Sequence, residues 1–152
     1  MATSYRAIYA SLLPKLKSYE IPIGSVEALE DELQPYLVPA IVKFHNCKVN
    51  LFDRDDESAT FNVDLNDKEI DILGNYLLLE YIDSNYIRTS TNLNINLFSG
   101  SFNANNPSSK LGKLLELHDT FYQENETLLS RYCWDDYKPE RQPLGYGYKK
   151  KN

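Results

Sequence analysis

The apolar positions change period along the chain, and each change marks an element. From Ser4 to about Ser18, Tyr5, Ile8, Leu12 and Leu16 recur at helical spacing, with Tyr19 just beyond. This predicts one amphipathic helix, kinked or divided at Pro14. Ile21 to Gly24 reads as a linker. Ser25 is a good N-cap for a second, short helix with Val26, Leu29 and Leu33 on one side and Glu27, Glu30, Asp31 and Glu32 largely outward. Pro35 and Pro39 sit where a further helix would begin. Its apolar positions, Leu37, Val38, Ile41, Val42, Phe44, Cys47, Leu51 and Phe52, suit a broad buried face. The alternation Cys47, Val49, Leu51 also permits a strand there. Asp53 to Ser58 closes the element, and Ala59 to Leu65 reads as extended, with Phe61, Val63 and Leu65 toward the core.

The sharpest helix start follows. Asn66 with Glu69 three residues on approximates a capping box, and Ile70, Leu73, Leu77 and Tyr81 form an inner stripe to about Asp83. From Ile87 to Phe102 helical periodicity is lost. Leu93, Ile95 and Leu97 alternate with Asn92, Asn94 and Asn96, a strand that needs a hairpin partner or a neighbouring chain. Asn106-Pro107 opens a last helix, in which Leu111, Leu114, Leu115, His118, Phe121, Tyr122, Leu128, Leu129 and Tyr132 recur at three and four while Leu117 falls off the stripe. After Trp134 the pattern stops. Residues 135–152 hold two prolines and two glycines among the sticky residues Tyr137, Leu144, Tyr146 and Tyr148, and they end in Lys149-Lys150-Lys151. The expected fold is mainly α. It is a small bundle of about four helices over residues 1–134, with an extended or hairpin-like insertion at 85–106 and an extended C-terminal docking tail at 135–152.

Composition narrows the class. The chain has 152 residues and a net charge of −6 from 16 basic and 22 acidic side chains. That length suits one domain with a real core. The acidic balance argues against a protein that grips nucleic acid electrostatically. No apolar run is long enough to span a bilayer, and Ala7 to Leu13 is too short and too soon broken by Pro14 to be a secretory signal. Two cysteines, Cys47 and Cys133, are too few for a disulfide framework, so reduced thiols and an intracellular origin are expected.

The residues offer little chemistry. His45 and Cys47 would need further zinc ligands, yet His118 and Cys133 lie about 22 Å apart along one helix. Asp53-x-Asp55-Asp56-Glu57 starts like a calcium loop, but Ser58 and Asp64 stand where Gly and a bidentate Glu are required. Gly145-Tyr146-Gly147-Tyr148 lacks the strand and helix of a phosphate loop. Asp135-Asp136 beside Trp134 remains as a carboxylate pair. No catalytic residue, metal or cofactor is expected.

One spaced pattern carries a resemblance. Ala40-Ile41-x-x-Phe44-x-x-Cys47-x-x-x-Leu51 is followed by Arg54-Asp55-Asp56, Phe61, Asp64-Leu65 and Glu69-Ile70-x-Ile72-Leu73. The closing helix adds Leu111-x-x-Leu114-Leu115-x-Leu117, Leu128 and Tyr132. This resembles the small helical neck proteins of tailed bacteriophages, the head–tail connector or adaptor family, with Tyr81 standing where the family pattern has Trp. The resemblance implies a structural virion protein, made in the host cytoplasm and housed in the neck. There, roughly twelve copies would close into a ring below the portal protein and meet other neck or tail rings. It makes Phe44, Cys47, Arg54, Asp55, Phe61, Leu73, Leu115 and Tyr132 structural positions of the family pattern. The residues themselves are compatible with more. An acidic wall would let DNA pass without sticking, Leu93, Ile95 and Leu97 would pair between subunits, and Tyr137, Leu144, Tyr146 and Tyr148 would clasp the portal. Two other readings stay open at this point: an intracellular helical adaptor or regulatory module that binds a protein partner, and a small enzyme using acidic residues.

Overall fold

The structure is a computed structural model that describes residues 2–18, 25–45, 48–88 and 107–135. Among these residues the chain is mainly helical, with four helices and a small three-stranded sheet. The third helix, α3 (Asp67–Ile82), is the axis of the core. Its start is fixed by the expected capping box: the Glu69 N–H donates to Asn66 Oδ1 at 3.1 Å, and the Asn66 N–H donates to Glu69 Oε2 at 2.8 Å. Beyond the inner stripe read from the sequence, every side chain from Ile72 to Glu80 is buried, so α3 is packed nearly all round. Ile70 and Tyr81, expected inside, are half-buried at the margin. The helix runs on into a π-helical segment (Asp83–Arg88) that carries the Asp83–Arg88 ion pair at 2.8 Å. Residues 85–88 of the expected insertion are therefore helical. Leu93, Ile95 and Leu97 lie outside the described residues.

The first helix, α1 (Tyr5–Ser18), buries Tyr5, Ile8, Leu12 and Leu16 as expected, and Tyr9 as well. It continues through Pro14 rather than dividing there. It approaches α3 closely at Gly74, where an added Cβ would lie 2.8 Å from Ser11 Oγ.

The second helix corrects the sequence reading. A single helix, α2 (Val26–Lys43), takes the place of two, with Pro35 and Pro39 in its interior. Ser25 caps it, accepting from the Ala28 N–H at 3.2 Å. The buried stripe Leu29, Leu33, Leu37, Ala40, Ile41 and Phe44 passes both prolines without a break. Both proline rings face solvent, where water can satisfy the carbonyls that lose their helical partners. Burial of one continuous stripe thus outweighs the proline penalty. The helix ends at Lys43. Leu51 is buried in the loop that follows, but Val38, Val42 and Phe52, expected in the core, are exposed.

The sheet has the order β1-β3-β2: Thr3–Ser4 (β1) pairs antiparallel with Thr60–Phe61 (β3), which pairs antiparallel with Arg54–Asp55 (β2). The expected extended stretch at 59–65 narrows to β3, with Phe61 and Leu65 buried and Val63 half-buried. Ala59 makes the turn into it with a left-handed φ of 51°.

The last helix, α4 (Pro107–Trp134), has Pro107 in its first turn, as read. Its inner stripe is narrower than expected. Leu129 and Tyr132 are buried, and Leu114, His118, Phe121 and Tyr122 are half-buried. Leu115 and Leu128 are 38% and 41% exposed, so they do not face the core. Position 125, passed over in the sequence reading, is the fully buried one, and it is an asparagine. Cys133, expected as a reduced thiol, is disulfide-bonded; cysteine number is silent about which thiols meet in space. Cys47 lies outside the described residues.

Candidate interaction surface

Polar side chains lock α4 onto α3. Asn75 Nδ2 donates to Asn125 Oδ1 at 2.9 Å, and Asn125 Nδ2 donates to the Ile72 carbonyl at 3.2 Å. The Tyr76 hydroxyl donates to Glu126 Oε1 at 2.5 Å, and the Tyr132 hydroxyl donates to Glu69 Oε1, the same carboxylate that completes the capping box. Lys15 of α1 joins this seam, bonded to Asp71 Oδ1 at 2.5 Å and to Asn75 Oδ1. Burial, then the hydrogen bond to Glu126, pushes the Tyr76 phenol well above its ordinary range. These bonds fix the rotation of α4 about its axis. Leu115, Leu117 and Leu128 of the same helix are exposed.

The hairpin β2–β3 is held against α1. The Tyr5 hydroxyl donates to Asp56 Oδ1 at 2.6 Å, Arg54 Nε reaches the same oxygen at 3.0 Å, and the Tyr5 N–H donates to the Ala59 carbonyl at 2.9 Å. The Tyr5 hydroxyl and Arg54 hold the Asp56 carboxyl below the usual range. Asp55 accepts from the Ser58 hydroxyl and then from the Glu57 N–H, and these bonds lower its pKa. The acids that looked like half a calcium loop are turn-building groups, with Asp53 taking the Asn62 amide at 2.7 Å.

Of the residues singled out in the sequence, Phe44, Phe61, Leu73 and Tyr132 come together in one core, with the Phe44 and Tyr132 rings 6.1 Å apart and Phe61 4.8 Å from Tyr5. Arg54 and Asp55 sit on the hairpin, and Leu115 is exposed on α4. Cys47, Tyr137, Leu144, Tyr146 and Tyr148 lie outside the described residues. His45 is exposed, and no group of three His, Cys, Asp or Glu able to hold a metal occurs among the described residues. Asp135 pairs with Lys68 at 3.1 Å on the rim of an open groove of about 250 Å³ floored by Ile72, Leu128 and Tyr132. Asp71 on that rim is held by Lys15. The groove's acids are thus engaged in ion pairs, and it presents no convergent set of nucleophile and base.

What the described residues do offer is exposed apolar surface. On α2, Pro35, Val38, Pro39 and Val42 are exposed at i, i+3, i+4 and i+7, with Val38 45% and Val42 64% exposed. Scattered surface hydrophobics are ordinary; a stripe at this spacing is the pattern by which helices meet other chains. The sequence reading missed this face because the same residues fit an inward stripe equally well. Among the described residues no helix is long and apolar enough to cross a membrane. Comparison with protein-family models, with curated proteins and with solved structures returns no match to this chain.

Proposed function

We propose that this chain is a structural virion protein of a tailed phage, a neck component that closes into a ring of roughly twelve copies under the portal and lines the DNA channel. The observation that carries the reading is the spaced residue pattern from Ala40 to Tyr132 that resembles the connector family. Its members Phe44, Leu51, Phe61, Leu73 and Tyr132 form one core, in keeping with a pattern that preserves a scaffold. The net charge of −6 supports passage of DNA without tight binding. In this reading Leu93, Ile95 and Leu97 pair between neighbouring subunits, while Tyr137, Leu144, Tyr146 and Tyr148 engage the portal protein or the next ring. The chain acts without cofactor or catalysis.

Quantitative mass spectrometry of purified particles tests it. A neck protein is present at about a dozen copies per particle; absence from particles overturns the reading. The exposed α2 stripe favours one alternative, an intracellular helical adaptor that lays this face against a protein partner. That alternative requires a partner outside the virion.

A further inference from the structure

The exposed face of α2 is divided along its length. At 100° per residue, Glu27, Asp31, Pro35, Val38 and Val42 fall within a band about 80° wide. All five are exposed. The half nearer the helix N-terminus is acidic, and the half nearer Lys43 is apolar. Segment 144–151 has the complementary order: Leu144, Tyr146 and Tyr148 alternate with glycine, and then come three lysines.

The lengths agree. Val42 and Pro35 are about 10 Å apart along the helix, and Glu27 is about 12 Å further on. An extended Leu144-to-Tyr148 stretch spans about 13 Å, and Lys151 lies about 10 Å beyond it. Period-two alternation puts all three large side chains on one side of an extended strand. The direction agrees too. Phe44, just past the apolar end of α2, lies against Tyr132 near the end of α4, with ring centroids 6.1 Å apart. A chain leaving Asp135 therefore starts at the apolar end of α2. The nine residues from there to Leu144 reach up to about 30 Å, enough to pass round to the outer face.

We infer that this α2 face is the seat of the chain's own segment 144–151, which lies antiparallel to the helix. Leu144, Tyr146 and Tyr148 cover Val42, Val38 and Pro35, and Lys149, Lys150 and Lys151 lie along Asp31 and Glu27. The segment's own chain is the occupant because a nine-residue tether holds it at an effective concentration on the order of millimolar. A second copy would have to exceed that in solution. The seat belongs to the free chain; a portal or neighbouring subunit that takes the same tyrosines must first displace them from α2. Its existence does not depend on the neck reading.

The test uses methyl NMR on the full chain. Val38 and Val42 are exposed, so their signals report cover without reporting the core, and the Leu73 methyls serve as the control for folding. Replacing Leu144, Tyr146 and Tyr148 together by Ser should shift the Val38 and Val42 signals and leave those of Leu73 in place. Asp31→Lys should give the same shift, and combining it with Lys150→Glu should reverse most of it. High salt should weaken the cover. Val38 and Val42 signals that ignore the triple replacement overturn the proposal. So does a cover that is lost on dilution, which would make a second copy the occupant.

Discussion

Asn75 and Asn125 meet amide to amide in the buried seam between α3 and α4, at 2.9 Å. Neither has water to fall back on. Asn125 also supplies a donor to the Ile72 carbonyl, and Asn75 accepts from Lys15, so three helices are tied through one contact. A helix seam filled only with leucine would tolerate sliding by a turn, whereas a satisfied polar pair does not. Replacing Asn125 by Ala removes an acceptor and a donor while Asn75 stays buried. The expected loss is about 1–3 kcal/mol, measured by urea denaturation. The double change to Leu at 75 and 125 should recover part of that loss, because no orphaned amide remains on either side.

Leu115 and Leu129 look alike in the sequence, both on the expected stripe of the last helix and only about 40° apart round its axis, but the buried positions described on α4 are Asn125, Leu129 and Tyr132, and Leu115 lies ten residues before the first of them. Leu129 is buried and Leu115 is 38% exposed. Leu129→Asp buries an unpaired carboxylate and should unfold the domain at ordinary temperature. Leu115→Asp should change stability by no more than about 0.5 kcal/mol. Far-UV circular dichroism melts of the two variants read the difference directly.

The same contrast shows where sequence patterns inform and where they stop. Caps are local: Ser25 and Asn66–Glu69 were legible because the donor, the acceptor and the helix they start lie within four residues. The inner faces of α1 and of the core of α3 were legible because burial repeats every three to four positions. The interior prolines of α2 were misread because rules for proline at a helix start carry no information about a stripe of six buried residues running past it. Val38 and Val42 defy the pattern because an apolar residue counts as inward by default, and a helix with apolar residues on two sides leaves the choice to its neighbours; Leu115 lies on the right stripe but ten residues before its first buried position. Asn125 could have been found. It fills the gap in the α4 stripe between Tyr122 and Leu129, at the spacing that its neighbours already set.

Gly74 is a point of close approach between α1 and α3. A Cβ there would stand 2.8 Å from Ser11 Oγ and 3.3 Å from Leu12 Cδ2, and that serine hydroxyl donates to the Ile8 carbonyl at 2.7 Å. Gly74→Ala gains helix propensity of about 1 kcal/mol and loses it to the clash with a fully packed neighbour. The net effect should be destabilising by about 1 kcal/mol. Ser11→Ala takes away the nearer atom, so the double variant should be more stable than Gly74→Ala alone. A double-mutant cycle in urea gives the coupling, and additivity of the two changes would mean the helices do not touch there.

Stability should form a plateau in pH bounded by different groups on its two sides. On the acid side, Asp56 has its pKa lowered by the Tyr5 hydroxyl and then by Arg54, so its contribution is complete above the ordinary value of 3.8 and disappears as pH falls through the lowered one. On the alkaline side the sign is reversed. Tyr9 is pushed up to about 12, by burial and then by Glu30; Tyr81 is pushed up to about 12, by burial and then by Glu32; and Tyr5 and Tyr76 are raised further. Each phenol keeps its proton more tightly folded than unfolded. Its contribution is therefore whole below 10 and lost as pH rises from 10 through the folded value. Tyrosinate absorbance should lag behind that of free tyrosine above pH 10 and then rise together with the loss of helical circular dichroism. Tyr76→Phe, which costs the bond to Glu126 at neutral pH, should lose less on going to alkaline pH than the parent does. A parent whose tyrosines all ionise near 10 while the helices stay intact would show that these phenols are not held in the core.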